Sequence, residues 1–153
     1  MGNSAVFSPP DKASYKTSHP NLIWMPRCPS SPLNQEIPCM FLPHSEPTDR
    51  IILYFHCNSV DIGKVAKQYK MAAEELESHI LVIEYPNYGL YKGRSCDESN
   101  IYQDALDIYD FLVHVLDLGP DQILVFGRSI GSGPSTYLAR HRNIGALILF
   151  APF

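Results

Sequence analysis

Short apolar runs alternate with stretches of helical periodicity along most of the chain. Four of the runs are almost wholly apolar, which is typical of strands that are covered on both faces of a sheet. They span residues 50–56, 80–84, 122–126 and 144–150. Two shorter runs come first, over residues 22–25 and 36–42, with no helical stretch between them. The pattern predicts six strands, of which the first two form an antiparallel edge.

Apolar residues recur at helical spacing in three stretches between these runs. They predict helices over residues 61–78, 97–118 and 131–140, and Asp61 is a suitable N-cap for the first. Alternation of strands and helices is typical of a mostly parallel sheet with helices on both faces. The predicted fold class is therefore α/β.

The N-terminal residues are expected to be less ordered than the rest of the chain. Residues 1–20 are polar and rich in Ser and Pro, and they predict a poorly ordered tail, whereas residues 21–153 form the folded domain. The chain opens with Met-Gly-Asn-Ser, as myristoylated proteins do, but Val6 stands where the motif has Ser or Thr. An unmodified N-terminus is favoured, and myristoylation remains the alternative.

Composition excludes several classes of function. With 45% hydrophobic and 18% charged residues in 153, the chain suits one globular domain. Its net charge of −4 offers no basic face for nucleic acid. The four cysteines form no CxxC pair, so we expect free thiols and no metal or other cofactor. No signal peptide or membrane-spanning run is visible, which favours a cytoplasmic protein, with peripheral membrane association as an alternative.

The motif that carries chemistry is Gly127-Arg128-Ser129-Ile130-Gly131. It fits the pattern G-x-S-x-G, follows an apolar run and opens a helical stretch, as a nucleophile elbow does. The alternative is that Ser129 only caps the helix. The position between strand and helix favours Ser129 as a nucleophile, with Gly127 and Gly131 allowing a close turn.

Three segments, residues 50–63, 81–93 and 123–134, resemble the α/β-hydrolase superfamily, and in particular α/β-hydrolase-domain-containing subfamily 17. The resemblance covers residues 20–153, which implies the N-terminal portion of an α/β-hydrolase domain, truncated after about the sixth strand. It also implies a serine hydrolase whose substrate is an acyl ester or an S-acylated protein. Subfamily 17 is associated with removing palmitoyl groups from membrane-bound proteins.

The resemblance assigns roles around the serine as well. It implies that backbone N–H groups of Asn58 and Ile130 form the oxyanion hole. His56 is interpreted as a structural support of the loop, because it precedes the serine in the chain. Cys57 stands where the family has glycine, so we expect strain in the loop at that position.

The acid and histidine of the family triad follow the serine in the chain. After Ser129 the sequence has a single histidine, His141, expected at the far end of the third helix, and no acid. Two hypotheses remain open. The chain belongs to a serine hydrolase whose acid and base lie beyond it, or it is an inactive fragment that at most binds ligands or partners.

Overall fold

A mixed sheet of six strands forms the centre of the molecule. The computed structural model describes residues 6–153. The strands lie in the order β1-β2-β4-β3-β5-β6. Their bounds are Leu22–Met25 (β1), Ile37–Leu42 (β2), Ile51–Phe55 (β3), His79–Ile83 (β4), Ile123–Arg128 (β5) and Ala146–Phe150 (β6).

Strand direction divides the sheet into two parts. β2 runs antiparallel to both β1 and β4, whereas β3 is parallel to β4 and β5, and β5 to β6. The predicted antiparallel edge and parallel sheet are both confirmed. Phe55 is in register with Gly127, so the carboxyl ends of β3 and β5 lie side by side. The loops that follow these two strands therefore meet at one edge of the sheet.

Four α-helices connect the strands. Their bounds are Ile62–Tyr69 (α1), Ala72–Glu75 (α2), Glu98–His114 (α3) and Ser132–His141 (α4). Asp61 caps α1, as predicted, by accepting a hydrogen bond of 3.1 Å from the backbone N–H of Lys64. The predicted helix over 61–78 is divided, since residues 70–71 belong to neither α1 nor α2. The next helix ends earlier than predicted, because Asp117 has a left-handed φ of 58° that no helix can continue through.

The sheet separates two hydrophobic cores. Ile51, Leu53 and Phe55 of β3 belong to the core that the sheet forms with α3 and α4. Ile52 and Tyr54 belong to the core on the side of α1. Successive side chains of a strand point to opposite faces. A strand with helices on both sides therefore has no polar face, and this explains why the run is continuously apolar.

The N-terminal segment packs against the domain. Tyr15 is only 6% exposed, and its hydroxyl donates a hydrogen bond of 2.8 Å to the buried carboxylate of Glu84. The backbone N–H of Ser14 donates to the carboxylate of Asp61 over 2.6 Å. This differs from the poorly ordered tail expected for residues 1–20, of which residues 1–5 lie outside the described part. A single tyrosine that reaches a buried carboxylate anchors the segment, and such an anchor has no periodic signal in the sequence.

The remaining sequence expectations concern thiols, metals and membranes. All four cysteines are free, as expected. Within residues 6–153, no group of three or more His, Cys, Asp or Glu side chains is arranged to hold a metal ion. None of the helices in the same range combines the length and the apolar character needed to cross a bilayer.

β6 leaves apolar side chains exposed at the edge of the sheet. It pairs with β5, and the described residues place no strand on its other side. Its Ile148 and Phe150 side chains are 45% and 57% exposed. An exposed apolar edge strand presents unpaired N–H and C=O groups together with hydrophobic side chains. Such an edge is a template for pairing with another chain.

We predict that the 153-residue chain self-associates through β6. Ile148→Lys should shift the population towards monomer, because a charged side chain on an edge strand opposes pairing. Met71→Lys is the control, since Met71 is 70% exposed and lies between α1 and α2, away from that edge. Sedimentation velocity at several concentrations measures the effect. A monodisperse monomer without any substitution would contradict the prediction.

Candidate active site

Ser129 lies directly after β5, as predicted, and begins a 3₁₀ turn, Ser129–Gly131, that leads into α4. Its φ is +52°, in the left-handed region. A residue with a Cβ loses roughly 1–2 kcal/mol there, and such a conformation persists only where the surroundings fix it. The turn therefore holds the serine in a strained conformation at the carboxyl edge of the parallel strands, where its side chain is half-buried.

Close backbone contacts explain the two glycines of the motif. A Cβ on Gly131 would overlap the carbonyl oxygen of Phe55 and come within 3.0 Å of that of His56. A Cβ on Gly127 would lie 2.6 Å from the carbonyl oxygen of Gly131. Only glycine permits these approaches. They press the turn that carries Ser129 against the end of β3, so the loop that follows His56 lies beside the serine.

His56 braces that loop from inside the core. Its side chain is fully buried and stacks on the Tyr85 ring, with the ring centroids 4.1 Å apart. Its Nδ1 lies 2.9 Å from the carbonyl oxygen of Cys57. Its Nε2 is 3.3 Å from Glu84 Oε1, within ion-pair distance but without hydrogen-bond geometry. These contacts are the ones expected of a structural histidine, and the ring is committed to Tyr85 and Glu84.

The side chain of Asn58 connects the loop to the N-terminal segment. Asn58 Oδ1 accepts hydrogen bonds from the Tyr88 hydroxyl, at 2.5 Å, and from the backbone N–H of Ser8, at 2.9 Å. Its Nδ2 donates to the carbonyl oxygen of Val6 over 2.7 Å. The oxyanion role of the Asn58 backbone N–H remains a prediction. The role of its side chain has no signal in the sequence and was not predicted.

Glu84 is the second residue that sequence reasoning missed. The carboxylate is fully buried and accepts from the Tyr15 hydroxyl and, over 3.3 Å, from the backbone N–H of Ile62 at the start of α1. Burial, and then the Glu84 charge, raises the pKa of Tyr15, so that the phenol stays protonated and donates. A signal was available, because a glutamate that ends an apolar strand is buried only where it finds partners.

The expected strain at Cys57 is wrong. Non-glycine residues with positive φ in residues 6–153 include Ser59, at 61°, and Ser129, but not Cys57. Cys57 thus has a backbone conformation that a side chain tolerates. The left-handed residue of this loop comes two positions later, at an exposed serine. A family motif identifies the loop but does not fix which of its residues takes the unusual angles.

His141 lies where the sequence predicted, as the last residue of α4. Its ring stacks on Tyr137, with centroids 4.1 Å apart, and its Nδ1 is 2.8 Å from the Tyr137 carbonyl oxygen. The far end of α4 is remote from the turn at its beginning. In the described part of the chain, no histidine side chain hydrogen-bonds to the Ser129 hydroxyl.

A cavity of about 280 Å³ opens beside Ile130, the residue after Ser129. Its walls combine the N-terminal segment, the loop after β4, α3 and the start of α4. The apolar lining residues are Val6, Phe7, Tyr85, Ile101, Ile130, Pro134 and Phe153. The cavity therefore places a largely apolar space next to Ile130, the residue that follows the serine.

No protein-family model matches the chain, but curated proteins and solved structures do resemble it. The chain is 30% identical over 116 residues to human α/β-hydrolase domain-containing protein 17B. The aligned region is 76% of this chain and 40% of that protein. It is 29% identical over 114 residues to mouse protein 17C, covering 74% and 35%. The chain thus spans 35–40% of the length of these curated relatives.

Solved structures share the fold at low sequence identity. A hormone-sensitive lipase from a metagenome library superimposes with a TM-score of 0.63 at 14% identity, over 96% of this chain and 47% of that one. A thermophilic carboxylesterase from a metagenomic library gives 0.59 at 16% identity, over 86% and 46%. The sheet order and these likenesses together show that the chain has the α/β-hydrolase fold. In sequence it is similar to the α/β-hydrolase domain-containing 17 proteins.

Gly131→Ala should reduce the free energy of unfolding by about 2 kcal/mol, because the new methyl group has no space against Phe55 and the backbone must shift. Gly133→Ala is the matched control two residues later. A Cβ there would meet its nearest atom, the Tyr102 hydroxyl oxygen, at 3.4 Å, and alanine favours a helix. Urea unfolding compares the two. Equal stabilities would show that the turn does not depend on the close approach.

The loop conformation predicts opposite effects for two neighbouring glycine substitutions. Ser59→Gly should raise the free energy of unfolding by about 0.5–1 kcal/mol, because it removes the left-handed strain. Cys57→Gly should lower it by a similar amount, since flexibility is added without relieving strain. Urea unfolding of both variants is the measurement. The assignment of strain to Ser59 fails if Cys57→Gly proves the more stable of the two.

Proposed function

We propose that this chain carries the nucleophile of a serine hydrolase that cleaves acyl esters or thioesters. The observation that supports it best is the conformation of Ser129. The serine follows β5, has a φ of +52° and precedes α4, with glycines at the two close contacts of the turn. These features support a nucleophile elbow, a strand-to-helix turn that exposes a serine hydroxyl above the sheet.

The chemistry begins with attack of Ser129 Oγ on the acyl carbonyl carbon. The carbonyl π electrons move to oxygen, and a tetrahedral intermediate with a negative oxygen forms. Backbone N–H groups of Ile130 and Asn58 are the proposed donors to that oxygen, on the two segments that Gly131 brings together. One such donor is typically worth about 2.7–4 kcal/mol of transition-state stabilisation. The general base takes the Ser129 hydroxyl proton during attack and gives it to the leaving oxygen or sulfur as the bond between that atom and the acyl carbon breaks. Water then attacks the acyl-enzyme and releases the carboxylic acid and the free serine.

The general base and its acid are proposed to come from sequence beyond residue 153. In the α/β-hydrolase fold they follow the serine in the chain. His56 is occupied with Glu84 and Tyr85, and His141 lies at the far end of α4. The match covers 40% of the human relative, so most of that protein's length lies outside the matched region.

The substrate proposal is an acyl ester or an S-acylated protein. Similarity to the α/β-hydrolase domain-containing 17 proteins supports an S-acylated protein, and the apolar cavity beside Ile130 supports an acyl group of either kind. A cytoplasmic protein that acts at the membrane surface fits this substrate. The myristoylation motif that would bear on it involves residues 1–5, outside the described part.

A fluorophosphonate probe, which reacts with activated serines, tests the proposal. The 153-residue chain should label at a rate several powers of ten below that of the chain extended by the C-terminal portion of the human relative, because a triad without its base loses most of its reactivity. Ser129→Ala should abolish labelling of the extended chain, and Ser132→Ala, a buried neighbour, should not. Labelling that persists in Ser129→Ala would refute Ser129 as the nucleophile.

A second candidate function for the 153-residue chain by itself is ligand binding without catalysis. It is supported by the same two histidines, neither of which contacts the serine. The probe experiment separates the candidates. Rapid labelling of the 153-residue chain at Ser129 would eliminate the binding function, whereas no labelling of either length would favour it.

A further inference from the structure

We propose that Tyr15 is a positioning residue for the oxyanion hole, and that it acts through Glu84 and His56 on the backbone N–H of Asn58. The inference rests on the proposed function, because it takes the Asn58 N–H to be a donor to the negative oxygen of the intermediate. It adds to that function a side chain of the N-terminal segment, which lies far from Ser129 in the sequence.

The path ends in a single peptide unit. The carbonyl oxygen of Cys57 and the N–H of Asn58 belong to the same planar group, in which they point in opposite directions. His56 Nδ1 lies 2.9 Å from that carbonyl oxygen, and the buried ring is held in its plane by stacking on Tyr85. Because the peptide unit is rigid, a ring that holds the oxygen also fixes the direction of the Asn58 N–H.

The Asn58 N–H is available to a ligand oxygen. Asn58 is half-buried, and within residues 6–153 its backbone N–H donates no hydrogen bond to the protein. Its side chain, in contrast, is fully engaged with Val6, Ser8 and Tyr88. A backbone N–H that is left without a protein partner and is held in one direction is what stabilisation of an oxyanion requires.

The His56 ring is held in turn by Glu84. His56 Nε2 lies 3.3 Å from Glu84 Oε1, and neither of these buried atoms has a hydrogen-bond partner within residues 6–153. Two lone pairs that face each other away from water are unfavourable, so a hydrogen is needed between the two atoms. Nδ1 needs a hydrogen of its own, because the carbonyl oxygen that it faces only accepts. The orientation of the ring therefore depends on where Glu84 Oε1 lies.

Tyr15 fixes the position of that carboxylate. Its hydroxyl donates to Glu84 Oε2 over 2.8 Å and accepts from the backbone N–H of Leu90 over 3.1 Å. The phenol is thus held from both sides, and its single hydrogen is directed at Glu84. The other donor to Oε2, the backbone N–H of Ile62, is more distant, at 3.3 Å. Without the phenol hydroxyl the carboxylate can turn, and Oε1 then moves away from the His56 ring.

A glycine makes room for the contact between Tyr15 and Glu84. Gly89 has a φ of +45°, and a Cβ there would overlap Glu84 Oε2 and lie 2.5 Å from the Tyr15 hydroxyl oxygen. The backbone of the loop after β4 therefore packs directly against the hydrogen bond. This packing holds the phenol and the carboxylate in one arrangement, which a bond that only anchored the N-terminal segment would not require.

Nuclear magnetic resonance of the 153-residue chain tests the path without requiring catalysis. Tyr15→Phe removes the hydroxyl but keeps the ring, and it should move the ring-nitrogen signals of His56 and the backbone amide signal of Asn58. Tyr109→Phe is the matched control. Tyr109 is also buried, but its hydroxyl donates to the carbonyl oxygen of Asn143, beyond the far end of α4. The control should leave the signals of His56 and Asn58 in place.

Glu84→Gln tests the middle of the path. Glutamine keeps an oxygen that accepts from Tyr15, and its NH₂ group then faces His56 Nε2. Nε2 should therefore carry no hydrogen in this variant, whereas Nδ1 keeps its own. The one-bond coupling between nitrogen and hydrogen shows which ring nitrogen is protonated. Urea unfolding verifies that each variant is folded, and Glu84→Gln decides alone if Tyr15→Phe does not fold.

The kinetic readout is fluorophosphonate labelling of the chain extended by the C-terminal portion of the human relative. Tyr15→Phe should lower the maximal labelling rate about tenfold, which is a part of the roughly 100–1,000-fold loss that follows removal of a whole oxyanion donor. The probe concentration that gives half the maximal rate should stay the same, because an oxyanion donor acts on the transition state. A loss of folded protein would lower the amount that is labelled and leave the rate unchanged.

The outcomes separate the inference from the proposed function. Signals of His56 and Asn58 that stay in place in folded Tyr15→Phe or Glu84→Gln would overturn the inference, as would an unchanged labelling rate at Ser129 in Tyr15→Phe. Labelling of the unsubstituted extended chain at Ser129 would still support the hydrolase in either case. Conversely, signals that move as expected, without labelling at Ser129 in any chain, would support the path from Tyr15 to the Asn58 N–H and count against hydrolysis.

Discussion

The buried carboxylate of Glu84 is the interaction on which the rest of the site depends. It sits just beyond β4, fully removed from solvent, and accepts hydrogen bonds from Tyr15 and from the first turn of α1. Burying an ion without partners is very costly, so these donors and Glu84 stabilise one another. His56 lies against the same carboxylate and supports the loop that carries Asn58. One charge thus organises the N-terminal segment, α1 and the end of β3.

The second constraint is steric. Gly131 and the Phe55 carbonyl approach so closely that the turn after β5 and the end of β3 behave as one unit. The contact fixes the distance between Ser129 and the loop from His56 to Ser59 through backbone alone. Side chains then add the finer adjustment, with Tyr88 and Asn58 connecting that loop to Val6 and Ser8. The backbone frame of the site is therefore rigid, whereas its contact with the N-terminal segment depends on few hydrogen bonds.

The sequence predicted the sheet well, because apolar period and length are local properties. The runs around Ile51 and Ile123 became central parallel strands, and Asp61 became an N-cap. The G-x-S-x-G motif located the strained serine for the same reason, since strand, turn and helix are contiguous. The contacts that the sequence did not predict are long-range. Tyr15 meets Glu84 and Ser8 meets Asn58 across 69 and 50 positions, and no local pattern encodes such pairs. The expectation of strain at Cys57 was wrong, because a motif identifies a loop but does not fix its dihedral angles.

The left-handed serine has an evolutionary consequence. At a φ of +52° a glycine, or even an asparagine, would be more comfortable than serine, so stability alone does not favour the residue that occupies position 129. A lineage under selection only for a folded domain should drift away from serine there, towards residues that release the strain. Stability alone therefore does not explain the serine in this chain, and a related sequence with glycine at the corresponding position would be free of the strain.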